Sequence, residues 1–549
     1  MSLKPLPIPP VPEITAKIAR GAFRKGNLYM RMRDEFGSLF TDEQFAKLFS
    51  HRGQPALAPW RLALITLMQF VENLPDRQAA DMVRSRLDWK YALGLELDDA
   101  GFDASVLCEF RKRLVEGEAE AELFETLLDV FAERKLLKTR GTQRTDSTHV
   151  LLAVRGLNRL ETIGETLRHA LNSLAEIAPE WLSACAPEPW FDRYSKRMEA
   201  YRLPKDQAQR DALAQTMGED GFLLLSLLAQ QQAPPVLATL PAVQTLRWVW
   251  IQQFLREGDQ VRMRDEKNMP PSNLILRSPY DVEARLAKKR DMNWTGYKVH
   301  LTETCDEDTP HLITDVLTTE ATLADTEVIP HIQEALEKAD RLPEEHVVDE
   351  GYTATPHFLA SSKRQIQLIG PIKADTSWQH TARKGFDHTG FEIDWDRQQA
   401  RCPAGNLSKR WTPQVNAFGV WYVQVGFSTP ECQACALKPN CTRSKTYRSI
   451  HLHPREEYEA MLALREEQKS PDFRKRYAVR AGIEGTLSQG IRDHGMRTAR
   501  YIGQTKTRLQ HLIVAAAINF CRVFDWLTGT PLAKTRRSHF ARLRPATVH

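Results

Sequence analysis

"EEHVVDEGYTATP", residues 344–356, ends a short β-branched stretch, Val347-Val348, on two acids, Asp349 and Glu350. A glycine, an aromatic residue and a helix start at Thr355-Pro356 follow. Open α/β sheets gather ligands and chemistry at the carboxyl ends of their strands. A strand also has to stop somewhere, and acids are frequent in turns. The stretch therefore reads either as a solvated turn or as a strand whose last carboxylate, Asp349, holds a metal.

A second stretch, "GTQRTDSTHVLLAV" (141–154), bears on the choice. Thr145, Ser147, His149 and Leu151 alternate with Asp146, Thr148, Val150 and Leu152, a period-two pattern rich in β-branched residues. An acid inside a strand is costly to bury unless it is paired or bound to metal. His149 falls on the face opposite Asp146 and reads as structural.

Between and after these stretches the texture orders the elements. Residues 156–277 read as a helical insertion. Tyr297–Thr304 and Leu312–Thr319 read as a hairpin around "CDEDTP", and Asp325–Ala339 as an amphipathic helix. "HVVDEGY", a helix ("PHFLASSKR") and a strand ("IQLIGPIK") complete the run. With the insertion set aside, this is the element order of a ribonuclease-H-like mixed sheet flanked by helices. In that fold the first and fourth strands are neighbours, which brings Asp146 beside Asp349. Trp294 and Tyr297 read as core or rim residues.

Length and composition frame the rest. A chain of 549 residues exceeds one ordinary core. With 42% hydrophobic and 26% charged residues it has material for a globular core. The seven expected segments are a helical N-terminal domain (1–140), a first core strand (141–155), the insertion (156–277), continued core (278–374), a cysteine-containing insertion (375–455), a C-terminal core part (456–528) and a basic tail (529–549). The net charge is only +5, but Ser470–Gln510 holds nine Lys/Arg against three Asp/Glu, a local surface suited to a polyanion. In the N-terminal helices, Arg77, Arg84, Arg86 and Lys90 read as exposed, which suits a helix-turn-helix type DNA reader. The run "LIVAAAINFCRVFDWL" is broken by Asn519, Arg522 and Asp525 and reads as a buried helix, not a membrane span. The N-terminus lacks a signal-peptide core, and eight cysteines in so long a chain are no disulfide scaffold, so a cytoplasmic protein is expected.

The chain resembles a bacterial insertion-sequence DDE transposase over nearly its whole length. The resemblance runs through "DRQAADMVRSRLDWKYALGLEL", "RTDSTHVL", "LNRLETIGETLRHALN", "KRDMNWTGYKVHLTET", "AVRAGIEGTLSQG" and "KTRLQHLIVAAAINF". It implies a catalytic triad, Asp146, Asp349 and Glu484, holding two Mg²⁺ ions, with Mn²⁺ able to substitute. It also implies a helix signature that Tyr477, Arg480 and Glu484 fit. Ile491 stands where the signature has Lys, with Arg492 one residue beyond. Glu350 is a second departure, since relatives more often carry a small residue there. The expected partners are the inverted-repeat ends of the element and target DNA, met by a homodimer or larger assembly in the nucleoid. Candidate DNA contacts are Tyr477, Arg480, Arg492, Arg497, Arg500 and Lys506. Arg480, four residues before Glu484, could instead form a pair with it along one helix. A non-catalytic DNA-binding derivative and a nuclease without strand transfer are the alternatives.

Four cysteines, Cys108, Cys185, Cys305 and Cys521, are scattered; Cys402, Cys432, Cys435 and Cys441 cluster, with one C-x-x-C pair and a "CPAG" turn. Four thiolates suit a tetrahedral structural zinc. Free thiols or an iron–sulfur cluster remain open alternatives.

Overall fold

The computed structural model describes residues 1–549 except 259, 383, 418, 532–539, 541–542 and 544–549. The basic tail expected over 529–549 lies almost wholly outside the described residues. The chain divides into two compact units. The first comprises Met1–Lys138, Asp146–Leu323 and Ile483–His549, and the second Thr139–Thr145 and Ala324–Gly482.

In the first unit, short helices fill residues 13–133, among them Pro59–Val71, Asp76–Ser85 and Ser105–Glu116. Their apolar faces bury Trp60, Phe70, Phe110 and Phe131 in one core with Val299, Leu301 and Ile313 from strands and Ile513–Ile518 from the helix Gln504–Leu527. That long helix is the apolar run noted above, and its polar interruptions have jobs. Asn519, fully buried, bonds both the amide and the carbonyl of Ile313, at 2.7 and 2.8 Å. Arg522 donates to the buried Glu303 carboxylate at 2.7 Å. Among the described residues, no helix is long and apolar enough to cross a membrane.

Strand β1 (Thr142–Leu151) carries the first aspartate. The insertion after it is largely helical, from Arg159–Ile177 to Pro241–Gln253, around a separate core containing Ile163, Trp190, Met217 and Trp250. It closes with a hairpin, β2 (Phe254–Glu257) and β3 (Gln260–Met263), in a region expected to be helical throughout. Strands β4 (Arg285–Lys289), β5 (Met292–Thr304) and β6 (Ile313–Glu320) are antiparallel, and the hairpin expected around "CDEDTP" is β5–β6. β5 is also the sheet neighbour of β1. Trp294 and Tyr297 are buried there, as their positions suggested.

In the second unit, β7 (Glu345–Val348) pairs in parallel with the first four residues of β1, and β8 (Gln367–Ile369) pairs in parallel with β7. The helices Ile329–Lys338 and Thr355–Lys363 are the crossovers that a parallel arrangement requires. β1 is thus common to both units, and the six main strands form a mixed sheet in the order β4-β5-β1-β7-β8, with β6 on β5. The cysteine-containing segment is more regular than its sequence suggested. β9 (Glu392–Asp394) pairs with β10 (Gln399–Arg401), and β11 (Arg410–Val415), β12 (Trp421–Gly426) and β13 (Ser449–Leu452) form a three-stranded sheet. Its core is small, built on Phe391, Val425, Phe427, Ile450 and Tyr458.

Candidate active site

The parallel register pairs Thr142 with Glu345 and ends at Thr145 with Val348. Asp146 and Asp349 are the next residues along each strand. Asp146 is buried, and one of its oxygens accepts from the Ser147 amide at 2.7 Å. Below it, Thr145 bonds His346 at 2.7 Å, deep in the sheet. Burial pushes the His346 imidazole down to about 4, so it is a neutral hydrogen-bonding group.

Asp349 serves the turn reading of its stretch. Its Oδ1 accepts from the Gly351 amide at 2.8 Å and caps the turn Glu350–Tyr352, which is the ordinary use of an acid after a strand. Its Oδ2 lies 3.7 Å from the Arg480 guanidinium. A Cβ on Gly351 would fall 2.9 Å from Asp349 Oδ1 and 3.6 Å from Asp325 Oδ2, so a second carboxylate, Asp325, borders the same turn. Asp325 opens a helical turn in the sequence and carried no signal there beyond helix capping. Glu350 is exposed.

Arg480 stands in a 3₁₀ turn, Val479–Ala481, between the helices Pro471–Ala478 and Gly482–His494. The sequence put Arg480 and Glu484 on one helix; a 3₁₀ turn carries Arg480 and the next helix carries Glu484, and the Arg480 guanidinium has an ion pair with Asp349. Two further ties hold this turn to the strands. Arg476 binds Glu345 at 2.9 Å, and the nearly buried Arg144 donates to the Val479 carbonyl at 2.5 Å. Gly482 follows, and a Cβ there would require the Arg144 guanidinium to move.

Glu484 is exposed on the helix Gly482–His494, whose opposite face buries Ile483, Thr486, Leu487 and Gly490. The spacing of those four residues is that of one helical face. Thr486 anchors the helix by donating to Glu303 at 2.6 Å.

The candidate DNA contacts divide. Tyr477 stacks on Phe473 at 5.7 Å. Arg492 is exposed beside Asp493, and Lys506 is exposed. Arg497 donates to His149 at 2.9 Å and to Thr148 at 3.2 Å, and Arg500 bonds the Leu74 carbonyl and covers the Phe70 ring at 4.4 Å. His149 is therefore a partner of Arg497, in keeping with its structural reading. In the N-terminal helices, Arg77 and Arg84 are exposed, but Lys90 is buried with its ammonium on the Glu96 and Asp99 carbonyls. Arg86 is tied up with Glu72 and Asp88, so the expected exposed row is shorter by two.

Cys402, Cys432, Cys435 and Cys441 all line one cavity, with Phe386, Phe427 and Arg448. A different group, Asp375, His380 and Asp387, is the one set of three such ligand atoms within 4.8 Å among the described residues. Its carboxylates are already engaged by Ser377, His388, His380 and Thr389.

The architecture is an α/β, ribonuclease-H-like mixed sheet, with Asp146 within β1 and Asp349 just past the end of β7, and a helical N-terminal region. Residues 401–524 match the family model described as the transposase DDE domain, and residues 19–113 match that of a transposase domain (DUF772). The two matches fit an insertion-sequence DDE transposase. The first span includes Glu484 and all four clustered cysteines; Asp146 and Asp349 lie between the two matched spans. No curated protein matches the chain.

Proposed function

We propose that the chain cuts DNA at the inverted-repeat ends of its own element and joins the freed 3′ ends to target DNA. Asp146, Asp349 and Glu484 are the metal-binding carboxylates in this reading. The observation that carries it is the β1–β7 register, which stops one residue short of an aspartate on each of two adjacent parallel strands. The ties from Arg144, Arg476 and Arg480 support it, because they fix the turn from which the Glu484 helix departs.

The donor set fits Mg²⁺, a hard ion that takes a few carboxylate oxygens and keeps places for water and phosphate. Asp146, Asp349 and Glu484 would hold such ions, which when bound would supply activation of an attacking oxygen and stabilisation of a leaving one. Mn²⁺ shares the preference for oxygen. Asp349 is fixed through its turn, and Glu484 through the buried face of its helix. Arg480 offsets the carboxylate charge and is placed to meet a phosphate oxygen when DNA arrives. The exposed Arg492 and Lys506 extend a basic surface for the DNA backbone. Two element ends must be brought together, so a homodimer on DNA completes the reading.

The test is cleavage and joining of labelled DNA carrying the repeats that flank the gene, with Mg²⁺, by the intact chain and by Glu484→Gln. Joined products from the first alone, with DNA binding kept by both, are expected. Cleavage without joining would make the chain a nuclease, and equal activity in the two proteins would remove Glu484 from the site.

A further inference from the structure

The strongest feature outside the carboxylates is the cysteine-lined cavity of the second unit. We propose that Cys402, Cys432, Cys435 and Cys441 bind one zinc ion that fixes the fold of the segment from Phe386 to Leu452, with Arg448 as the cation facing the site. The inference rests on this segment alone, so failure of the carboxylate reading leaves it standing.

The four residues arrive from three separate turns. Cys402 opens a tight reversal, in which its amide donates to the Asn406 carbonyl at 2.9 Å and its carbonyl accepts from the Gly405 amide at 2.8 Å. Gly405 has φ of +85°, a conformation that suits glycine. Cys432 lies in the short helix Thr429–Gln433, Cys435 just beyond it, and Cys441 at the end of the helix Lys438–Cys441. Backbone bonds curl these turns toward the cavity: Cys432 donates to Ser428 at 3.0 Å, and Lys438 to Cys435 at 3.1 Å. None of the chain's other four cysteines lines the cavity.

The cation beside the cavity points the same way. Arg448 lines the same cavity, and its Nε is buried with no hydrogen-bond partner among the described residues. An orphaned guanidinium N–H is costly. A zinc tetrathiolate, with net charge of −2, supplies the missing acceptors in its sulfurs.

The balance is simple. Four S–H protons pass to solvent, four Zn–S bonds form, and zinc stays divalent. The sulfurs frame the cavity without coming as close together as the Asp375 group does, and closing on an ion takes side-chain rotation. The segment's own core is small, and Cys402, Cys432 and Cys441 pack against it. A metal is the usual remedy for a segment that cannot stabilise itself by burial.

The experiment uses the full-length chain, purified and dialysed, with metal measured by mass spectrometry. One zinc per chain is expected, released in step with titration of four thiols by a mercurial reagent. Protein loaded with Co²⁺ should show thiolate-to-cobalt charge-transfer absorption. Cys432→Ser should lose the metal, and Cys185→Ser should keep it. Arg448→Met should keep zinc but surrender it to a chelator several-fold faster. Wild-type protein without stoichiometric zinc, or with iron and acid-labile sulfide in its place, overturns the proposal. Unchanged release from Arg448→Met removes Arg448 from it.

Discussion

Gly482→Ala separates local helix preference from the packing around the turn. Gly482 begins a helix, and alanine there is favoured over glycine by about 0.5–1 kcal/mol on propensity. A methyl group at this position collides with the Arg144 guanidinium, which is 6% exposed and bonded to the Val479 carbonyl at 2.5 Å. Moving that guanidinium breaks a charged hydrogen bond, which costs about 1.5–3 kcal/mol, and water cannot easily replace it. The expected net effect is a loss of about 1–2 kcal/mol. In an Arg144→Met background the collision is gone, and the same substitution should be neutral or should stabilise by up to about 1 kcal/mol. Urea unfolding of the four proteins closes the cycle, with an expected coupling of roughly 2–3 kcal/mol. A stabilised Gly482→Ala, or effects that add to within about 0.5 kcal/mol, would refute the packing argument.

Gly296→Ala should be more damaging, because φ is +150° and an added Cβ would overlap the Val150 carbonyl of the neighbouring strand. A loss of about 3 kcal/mol or more is expected in urea unfolding, and a smaller effect would show that β1 can move aside. Arg86→Met leaves the Asp88 side chain, 3% exposed, with neutral donors only. About 3 kcal/mol should be lost, and Asp88→Asn in the same protein should restore part of it. Acid sensitivity should follow His511, whose imidazole burial pushes down to about 3. The unfolded chain takes up a proton near pH 6.5 and the native site does not, so this stability is complete above that pH and drains away as pH falls toward 3. By pH 4.5 the loss is about 3 kcal/mol, and His511→Gln should show a flatter acid limb.

The core elements were legible because period-two alternation and acids at strand ends are local signals. β1, the β5–β6 hairpin, β7 and β8 sit where those signals placed them. What the sequence hid was non-local. Spacing by four made Arg480 and Glu484 visible as neighbours, but the ion pair of Arg480 with Asp349, more than a hundred residues away, left no local signal. Lys90 looked exposed because charge usually is; its ammonium is satisfied by two carbonyls from the following loop, which no periodicity reveals. The small sheets around the cysteines escaped notice because their strands are three to six residues long and interrupted by proline and glycine. Arg144 and Gly482 stand in stretches that carry the resemblance, but the contact between them appears only when the strand and turn are placed together.

The shared strand also sets a timetable for synthesis. Thr142 pairs with Glu345, about 200 residues later in the chain. At about 5–20 residues per second, roughly 10–40 s pass between the emergence of one strand and that of its partner. For that interval the edge carrying Arg144 and Thr145 has no β7 to bond, while the helical insertion, with a core of its own, has time to fold. The insertion therefore occupies the waiting period productively, and a ribosome stalled between Asp146 and Glu345 leaves a chain that carries Asp146 but whose β1–β7 pairing cannot yet exist.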